Sequence, residues 1–159
     1  MARGGTFRVD DSGQKALFRH YEPKQLDRIF TASAGAGARA IAKTMQSAAP
    51  VGQSKRQGQF YRKRGWTHGM LKASIKARKI RKRGVNRNTI GYVVGPGGPA
   101  GFTRHWVTGG VRPHRIGRVQ HPGHTPDPWV ERVAPAASEA GERASEAVIR
   151  KHVNNIPRT

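Results

Sequence analysis

Histidines are the residues of this sequence that could most readily support catalysis or bind a metal. Four of the seven, His105, His114, His121 and His124, fall in one loop-rich stretch. The spacing of His121 and His124 suits a pair of metal ligands on a helix. A proline and a glycine stand between them, however, and both oppose a helical backbone. We therefore expect solvated or backbone-bonded histidines, with no metal and no other cofactor.

The other groups needed for catalysis are sparse. The sequence contains no carboxylate between Arg28 and Pro126, which excludes paired-carboxylate chemistry over that stretch. Ser74, His114 and Asp127 supply the residue types of a hydrolytic triad, but geometry rather than residue type defines a triad. No glycine-rich nucleotide loop stands between a predicted strand and a predicted helix. The sequence therefore predicts a protein that is not an enzyme.

A basic segment offers a different chemistry, the attraction of phosphates. Residues 55–87 contain thirteen Lys and Arg, interleaved with Phe60, Tyr61 and Trp66. Positive charge with aromatic rings is what single-strand binders use for backbone attraction and base stacking. A loop whose arginines contact an acidic partner subunit fits the same residues, so both interpretations stay open. No signature of a sequence-reading module is present. The candidate DNA- or subunit-facing residues are Arg62, Lys63, Arg64, Arg78, Lys79, Arg81, Lys82, Arg83 and Arg87.

The charge of the whole chain also indicates a negatively charged partner. Thirty Lys and Arg against nine Asp and Glu give a net charge of +21. The excess lies in residues 28–126, which contain twenty basic residues, whereas the two ends are nearly neutral. Such a field attracts polyanions without dictating a fold. DNA, RNA or an acidic protein surface would satisfy it.

The size and composition of the chain indicate one domain held by packing. A length of 159 residues is enough to bury a core. With no cysteine, neither disulfides nor thiolate metal sites contribute. No apolar run approaches the ~20 residues that cross a bilayer, and the first residues lack the apolar stretch of a signal peptide. We expect a soluble intracellular protein with no membrane partner.

Two stretches have helical periodicity. The first runs from Pro23, which suits a first helical turn, to Pro50, which bars continuation. Its apolar positions are Leu26, Phe30, Ala34, Gly37, Ile41, Met45 and Ala48. The second begins with Asp127 as a cap and Pro128 in the first turn, and Pro135 is expected to kink or split it. Its apolar positions are Val130, Val133, Ala137, Ala140, Ala144 and Val148.

Short strands are predicted at residues 6–10, 89–94 and 102–107, with another that begins near Ile75 and frays into the basic stretch. The glycines and prolines of residues 95–99 should end the strand before them. We expect an α+β fold with an N-terminal helix, an antiparallel sheet of about three to five strands carrying a long basic loop, and a C-terminal helix packed on the sheet. The predicted limits are a lead-in at 1–23, a single domain at 24–153 with a basic loop at 51–69, and a tail at 154–159.

Three groups of residues, in this order, are similar to the motifs of a known family. The first is Ala48-Ala49-Pro50-Val51 at a helix end, followed at 67–75 by Thr-His-Gly-Met-Leu-Lys-Ala-Ser-Ile. The second, at 105–114, is His-Trp-Val-Thr-Gly-Gly-Val-Arg-Pro-His. The third is His121-Pro122-Gly123 leading into Pro-Asp-Pro-Trp-Val at 126–130, before the last helix. Their order and spacing resemble the siphophage family of small tail-component proteins, also called neck or tail-completion proteins.

The resemblance covers residues 24–152, with three departures. A basic insertion separates Pro50 from Thr67, His68 stands inside the Thr-Gly pair, and Trp129 replaces the usual Phe. None of the motif residues needs to be reactive, which suits a protein that works by assembly. The positions that the resemblance marks as structural are Pro50, Thr67, Gly69, Leu71, Ser74, Ile75, Gly109, Pro113, His114, Pro128 and Trp129.

The resemblance implies a structural virion protein of the head-to-tail junction, forming a homo-oligomeric ring with a hexamer favoured and a dodecamer possible. Such a ring joins the portal-side connector to the tail tube and lines or borders the DNA channel. The implied partners are further copies of the chain, portal-side adaptor or head-closure proteins, a tail terminator or tail tube protein, and packaged double-stranded DNA bound without sequence preference. Two alternatives are a tail-terminator ring that caps the tube and a small basic nucleic-acid-binding accessory protein.

Overall fold

A computed structural model of the chain describes residues 11–51, 68–80, 90–98, 105 and 107–157. The described elements, in chain order, are α1 (Asp11–His20), α2 (Pro23–Ala48), α3 (Met70–Ser74), β1 (Ile75–Lys79), β2 (Tyr92–Pro96), β3 (His114–Ile116), β4 (Val119–His121) and α4 (Trp129–Asn154). The protein is a mixed α+β protein, as the sequence predicts. Within these residues, no helix combines the length and apolarity needed to span a membrane.

The limits of helix α2 follow from its terminal residues. Pro23 occupies the first turn, where its missing N–H costs nothing, and the N–H of Glu22 donates to Gln25 Oε1 at 3.0 Å. The helix ends at Ala48, and Ala49 before Pro50 is already extended. Both predicted limits are confirmed.

Helix α4 differs from prediction at its start and in its continuity. Pro128 occupies the N-cap position, and Asp127 provides no side-chain cap because its carboxylate lies against Arg132. Its backbone N–H donates instead to the carbonyl of Val107 at 2.9 Å. The helix is 26 residues long and includes Pro135, so the predicted split is wrong. Burial of the residues beyond the proline against α2 offsets the loss of one backbone hydrogen bond.

The two long helices pack against each other through glycines. A methyl group on Gly37 would lie 2.9 Å from the carbonyl oxygen of Gly141, so only glycine allows this approach. Beside this crossing, Ser33 Oγ donates to the carbonyl of Ser145 at 3.0 Å, and Ser145 Oγ donates to the carbonyl of Ser33 at 3.2 Å. The α2–α4 seam, which we define by these four residues, is the most extensive contact between described elements.

The buried faces of the two helices match the predicted stripes only in part, since Leu26, Gly37, Val133 and Ala137 are buried as predicted but other predicted positions are not. On α2 the buried positions are Leu26, Ile29, Ser33, Gly35, Gly37, Ala38 and Ala42. Phe30, Ala34 and Ile41, which the periodicity places in the core, are only partly buried, and Ala48 is exposed. On α4 the buried positions are Trp129, Val133, Ala137 and Gly141. Small and polar residues can therefore occupy the centre of the seam, because close backbone approach needs small volume more than apolarity.

Strands β1 and β2 form an antiparallel two-stranded ribbon, with Ile75 opposite Pro96 and Lys79 opposite Tyr92. The predicted strand at 89–94 is thus displaced toward the C-terminus and runs through a glycine and a proline. The ladder tolerates Pro96 because it stands at the end of the strand. Strand β1 itself confirms the strand predicted from Ile75 onward. Helix α2 covers the ribbon, and Gly35 makes room for the Tyr92 hydroxyl, which lies 2.9 Å from where a methyl group would stand.

The strand predicted at 102–107 is wrong where the structure describes it. His105 and residues 107–109 are helical, and Gly110 ends this turn in the left-handed region at φ 70°. Glycine after a last helical residue is a common C-terminal cap, so the glycine pair ends a helical turn rather than a strand. Strands β3 and β4 instead form a separate hairpin, with the pair Val111–His124 bridging its base. The described strands therefore make two two-stranded sheets rather than one larger sheet.

Helix α1 is an element that the periodicity did not predict. It lies within the segment expected to be a lead-in, yet Leu17 is almost fully buried, at 1% exposure. Immediately after α1, the Tyr21 hydroxyl donates to the carbonyl of His152 at 3.2 Å near the end of α4. These contacts join α1 to the packed body. The strand predicted at residues 6–10 lies outside the described residues, as does most of the predicted loop at 51–69.

Candidate functional site

Motif residues that are far apart in the sequence meet in one hydrophobic core. Leu71, Ile75 and Trp129 share a buried cluster with Ala49, the residue before Pro50. Ile75 and Trp129 are among the largest fully buried side chains of the described residues. The first and third groups of motif residues are thus brought together by the fold.

Local hydrogen bonds hold the middle of this cluster in place. Gly69 has φ 74°, a left-handed conformation that starts the short helix α3. Ser74 Oγ donates to the carbonyl of Leu71 at 2.7 Å, which closes the same turn. Gln46 Nε2 donates to the carbonyl of Ile75 at 2.7 Å and fixes the first residue of β1 on α2. These contacts explain why Gly69, Ser74 and Ile75 are placed as they are without giving any of them a reactive role.

The second group of motif residues touches the core cluster through Val107, which is partly buried and packs against it, while its glycine, proline and histidine positions lie farther along the chain. Gly109 is exposed, and it is Gly110 rather than Gly109 that adopts the positive φ expected of the pair. Pro113 and His114 are exposed at the start of the β3–β4 hairpin. Their role in the structure is to begin this hairpin. Thr67 lies outside the described residues.

Arg78 and Lys79 are the two members of the predicted basic set that the structure describes, and both are exposed on β1. Lys76 is exposed on the same strand. Residues 70–79 of the basic segment are anchored in the core of the single chain by Leu71 and Ile75. The other predicted basic residues, Arg62, Lys63, Arg64, Arg81, Lys82, Arg83 and Arg87, lie outside the described residues.

Side chains alternate across the β1–β2 ribbon. Ile75 is fully buried and Ala77 packs against the core, whereas Lys76 and Arg78 point away from it. On β2, Val93 is 56% exposed on this outer side. The outer ribbon face, a name used here for Lys76, Arg78, Val93 and Gly95, is therefore basic and open.

Negative charge lies elsewhere among the described residues. Their ion pairs all involve the last part of the chain and join Arg132 to Asp127 (2.6 Å), Arg143 to Glu139 (2.7 Å) and Arg150 to Glu146. The Arg132–Asp127 pair is an ion contact without hydrogen-bond alignment, since Asp127 Oδ1 has no hydrogen-bond partner. The three arginines of α4 are thus neutralised by their own helix or its start, and the ribbon cations are not.

The histidines that sequence analysis grouped are only partly brought together. His114 and His121 are direct cross-strand partners in the β3–β4 hairpin, a juxtaposition that residue spacing did not reveal. Backbone atoms engage two of the rings, with His114 Nδ1 2.9 Å from the carbonyl of Arg112 and His124 Nδ1 3.0 Å from that of Thr125. Over the described parts of the chain, no three His, Asp or Glu side chains are grouped as a metal site would require. 

The residues of the imagined triad have separate surroundings. Ser74 Oγ is bonded to the carbonyl of Leu71, His114 to that of Arg112, and Asp127 lies against Arg132. The local structure thus accounts for each of these side chains by a neighbour in sequence. A triad would need the serine hydroxyl to be hydrogen-bonded to a base, whereas Ser74 Oγ donates to a backbone carbonyl.

An apolar groove between α2, β2 and α4 is a feature that sequence analysis missed. It has a volume of about 530 Å³, and its lining includes Phe30, Ala34, Ile41, Tyr92 and Ile149. Three of these residues belong to the α2 stripe that was predicted to be core. The orientation of α2 about its axis leaves them on the groove wall, with polar atoms contributed by the seam serines.

Comparisons with known proteins add no relative: no family model, no curated protein and no solved structure matches the chain. The described residues provide a core built from motif residues, an exposed basic ribbon, and an α4 on which Glu139 and Glu146 are paired with arginines.

Proposed function

We propose that this protein is a non-enzymatic structural component of the head-to-tail junction of a tailed bacteriophage, where it forms a homo-oligomeric ring. The observation that carries the proposal is the meeting of the motif residues in one core cluster, where Ala49, Leu71, Ile75 and Trp129 are packed together. Residues spaced over 80 positions of sequence serve as one structural unit, which is what the resemblance to the neck or tail-completion proteins implies for them.

The distribution of charge supports a role beside a polyanion. Among the described residues, the outer ribbon face carries cations without carboxylate partners, while Glu139 and Glu146 of α4 are paired with arginines of the same helix. Repeated around a ring, the ribbons would form a continuous positive surface. The proposed ring, for which a hexamer is favoured and a dodecamer is possible, joins the portal-side adaptor or head-closure proteins to the tail terminator or tail tube and borders the DNA channel.

The decisive test is to remove the coding sequence from the phage genome that contains it and to examine the particles. We expect filled heads and separate tails, and we expect the protein to appear in normal virions at a fixed copy number by quantitative mass spectrometry. Complementation with the intact gene is the control. Infectious tailed particles without the protein, or virions that lack it, would contradict the proposal.

A position at the tail end of the same junction is the nearest alternative. A tail-terminator ring would remain on isolated tails that lack heads, whereas a neck ring would not be required for tube length. Immunogold labelling of free tails separates the two positions.

A small nucleic-acid-binding accessory protein is the second candidate, favoured by the unpaired cations of the ribbon. Such a protein would purify with nucleic acid from the host and would be missing from virions. The same quantitative mass spectrometry decides between the two functions.

We expect the purified protein to show no hydrolytic or nuclease activity, with or without divalent metal. The reason is the lack of carboxylates across residues 28–126 and the engagement of His114 and His124 by backbone carbonyls. Turnover of a plasmid or of a chromogenic ester, measured with Mg²⁺, Mn²⁺ or Zn²⁺, checks this. Metal-dependent activity that is lost on changing His121→Ala or His124→Ala would overturn it.

A further inference from the structure

The outer ribbon face has the geometry of a surface on which an extended polyanion can lie. Lys76 and Arg78 are two residues apart on one strand, so they point to the same side and their α-carbons are about 6.7 Å apart. Opposite Lys76 stands Gly95, and a methyl group added there would meet no atom within 4 Å. The face is therefore flat and unobstructed beside its cations.

Arg78 is positioned by the backbone of the ribbon. Its guanidinium lies against the α-carbon of Gly97, where any larger side chain would collide with it. The N–H of Gly97 in turn donates to the carbonyl of Ser74 at 3.2 Å, which holds this glycine at the end of the ladder. A guanidinium held in this way loses less side-chain freedom when it binds a phosphate, and its planar fork suits phosphate oxygens.

No counter-charge within the described residues satisfies these cations. The ion pairs of the described residues lie at Asp127 and on α4, and no carboxylate occurs in the sequence from Arg28 to Pro126. Lys79 stands opposite Tyr92 and so lies on the other side of the ribbon. A second copy of the chain is a poor source of counter-charge, because its net charge is +21 and three of the α4 carboxylates and Asp127 face arginines or a serine.

The composition of the face favours duplex over single-stranded nucleic acid. Single-strand binders need aromatic rings on which bases stack. The outer ribbon face presents Val93 and glycine instead, and Tyr92 points to the opposite side, toward α2. Contacts to the phosphates of a duplex need no stacking, and they position a protein without reading its sequence.

We propose that the outer ribbon face is a binding surface for the phosphate backbone of double-stranded DNA. The inference deepens the proposed function and rests on it for the biological source of the duplex, the packaged genome. Each phosphate contact releases a condensed counterion, so affinity falls with salt by a slope of about −0.9 on a log–log scale for each contact.

The test is fluorescence anisotropy of a labelled DNA duplex of mixed sequence with the purified full chain over a range of salt concentrations. The variant Lys76→Gln, Arg78→Gln should weaken binding by about tenfold per lost contact near ~0.1 M salt and flatten the slope by about 0.9 per contact. The matched control, Lys15→Gln, Lys151→Gln, removes the same charge from exposed positions on α1 and α4. It should keep a steeper slope and tighter binding than the ribbon variant.

A second pair of variants isolates the charge of the face from its packing. Gly95→Glu places a carboxylate opposite Lys76 in open space and should weaken binding several-fold, whereas Gly95→Gln, of the same size, should bind nearly as well as the original. Equal loss in the two charge-matched double variants, or equal binding by the two Gly95 variants, would overturn the proposal. So would unchanged DNA binding with an altered oligomer mass in light scattering, because the face would then contact protein.

Failure of this inference is distinguishable from failure of the proposed function. DNA binding is measured on purified protein, whereas the virion role is measured by particle assembly after gene removal. A protein that is required for joining but whose ribbon variants bind DNA normally would overturn the inference alone.

Discussion

Replacing Trp129 by alanine should lower the free energy of unfolding by about 3–5 kcal/mol. The indole is 1% exposed and packs with Ile75, Leu71 and Val133, so its removal both loses buried apolar contact and leaves a cavity at the junction of α4, α2 and the ribbon. A change of this size is a large share of the total stability of a single domain. Urea unfolding followed by circular dichroism measures it.

Two variants separate the contributions of this residue. Trp129→Phe should cost less than Trp129→Ala, because the buried Nε1 of the indole has no hydrogen-bond partner among the described residues and phenylalanine therefore loses ring volume but none of the described hydrogen bonds. Phe18→Ala, at a ring that is 60% exposed on α1, is the matched control for removal of an exposed aromatic. If Trp129→Ala lowered stability no more than Phe18→Ala, Trp129 would not be part of the core.

Leucine in place of Gly37 should lower the free energy of unfolding by at least about 1–3 kcal/mol, the usual cost of overpacking. Even the first added carbon would collide with Ser145 and lie 2.9 Å from the carbonyl oxygen of Gly141, which belongs to backbone and cannot rotate away. Separation of α2 from α4 would then weaken the largest contact of the structure. At this chain length each kcal/mol corresponds to roughly 2–4 °C in Tm, so thermal unfolding detects the loss.

The control for this prediction is Gly109→Ala. Gly109 is helical and exposed, and an added methyl group would meet nothing within 4 Å. Because alanine favours a helix by about 1 kcal/mol over glycine, this variant should be neutral or slightly more stable. Equal stability of the Gly37→Leu and Gly109→Ala variants would show that α2 and α4 do not meet at this glycine.

The limits of the long helices were predictable from sequence because local backbone chemistry sets them. Pro23 and Pro50 confine α2, since proline suits a first turn and interrupts the chain beyond the last one. The sequence also predicts that another backbone approaches α2 closely at its glycines, because glycine in a helix interior is costly unless small volume is needed. The sequence does not reveal that Gly141 is the residue that approaches Gly37.

Where the prediction failed, contacts distant in sequence were decisive. Pro135 does not split α4, because burial of Ala137 and Gly141 on α2 offsets the missing hydrogen bond. Helix α1 depends on Leu17 being covered by the packed body, and ten residues with one strong apolar anchor carry too little periodic signal on their own.

By itself the sequence determined the α+β composition, the two long helices and the concentration of positive charge in residues 28–126, because each depends on residue type and local spacing. Only the tertiary structure decided which sides of α2 and α4 are buried, that Ile75 pairs with Pro96, and that Lys76 and Arg78 lie beside an open Gly95. These features follow from register and helix rotation, which are set by the mutual packing of elements far apart in the chain. Rotating a helix about its axis by one residue position moves some side chains from the core to the groove wall, and it leaves the spacing of the apolar residues unchanged.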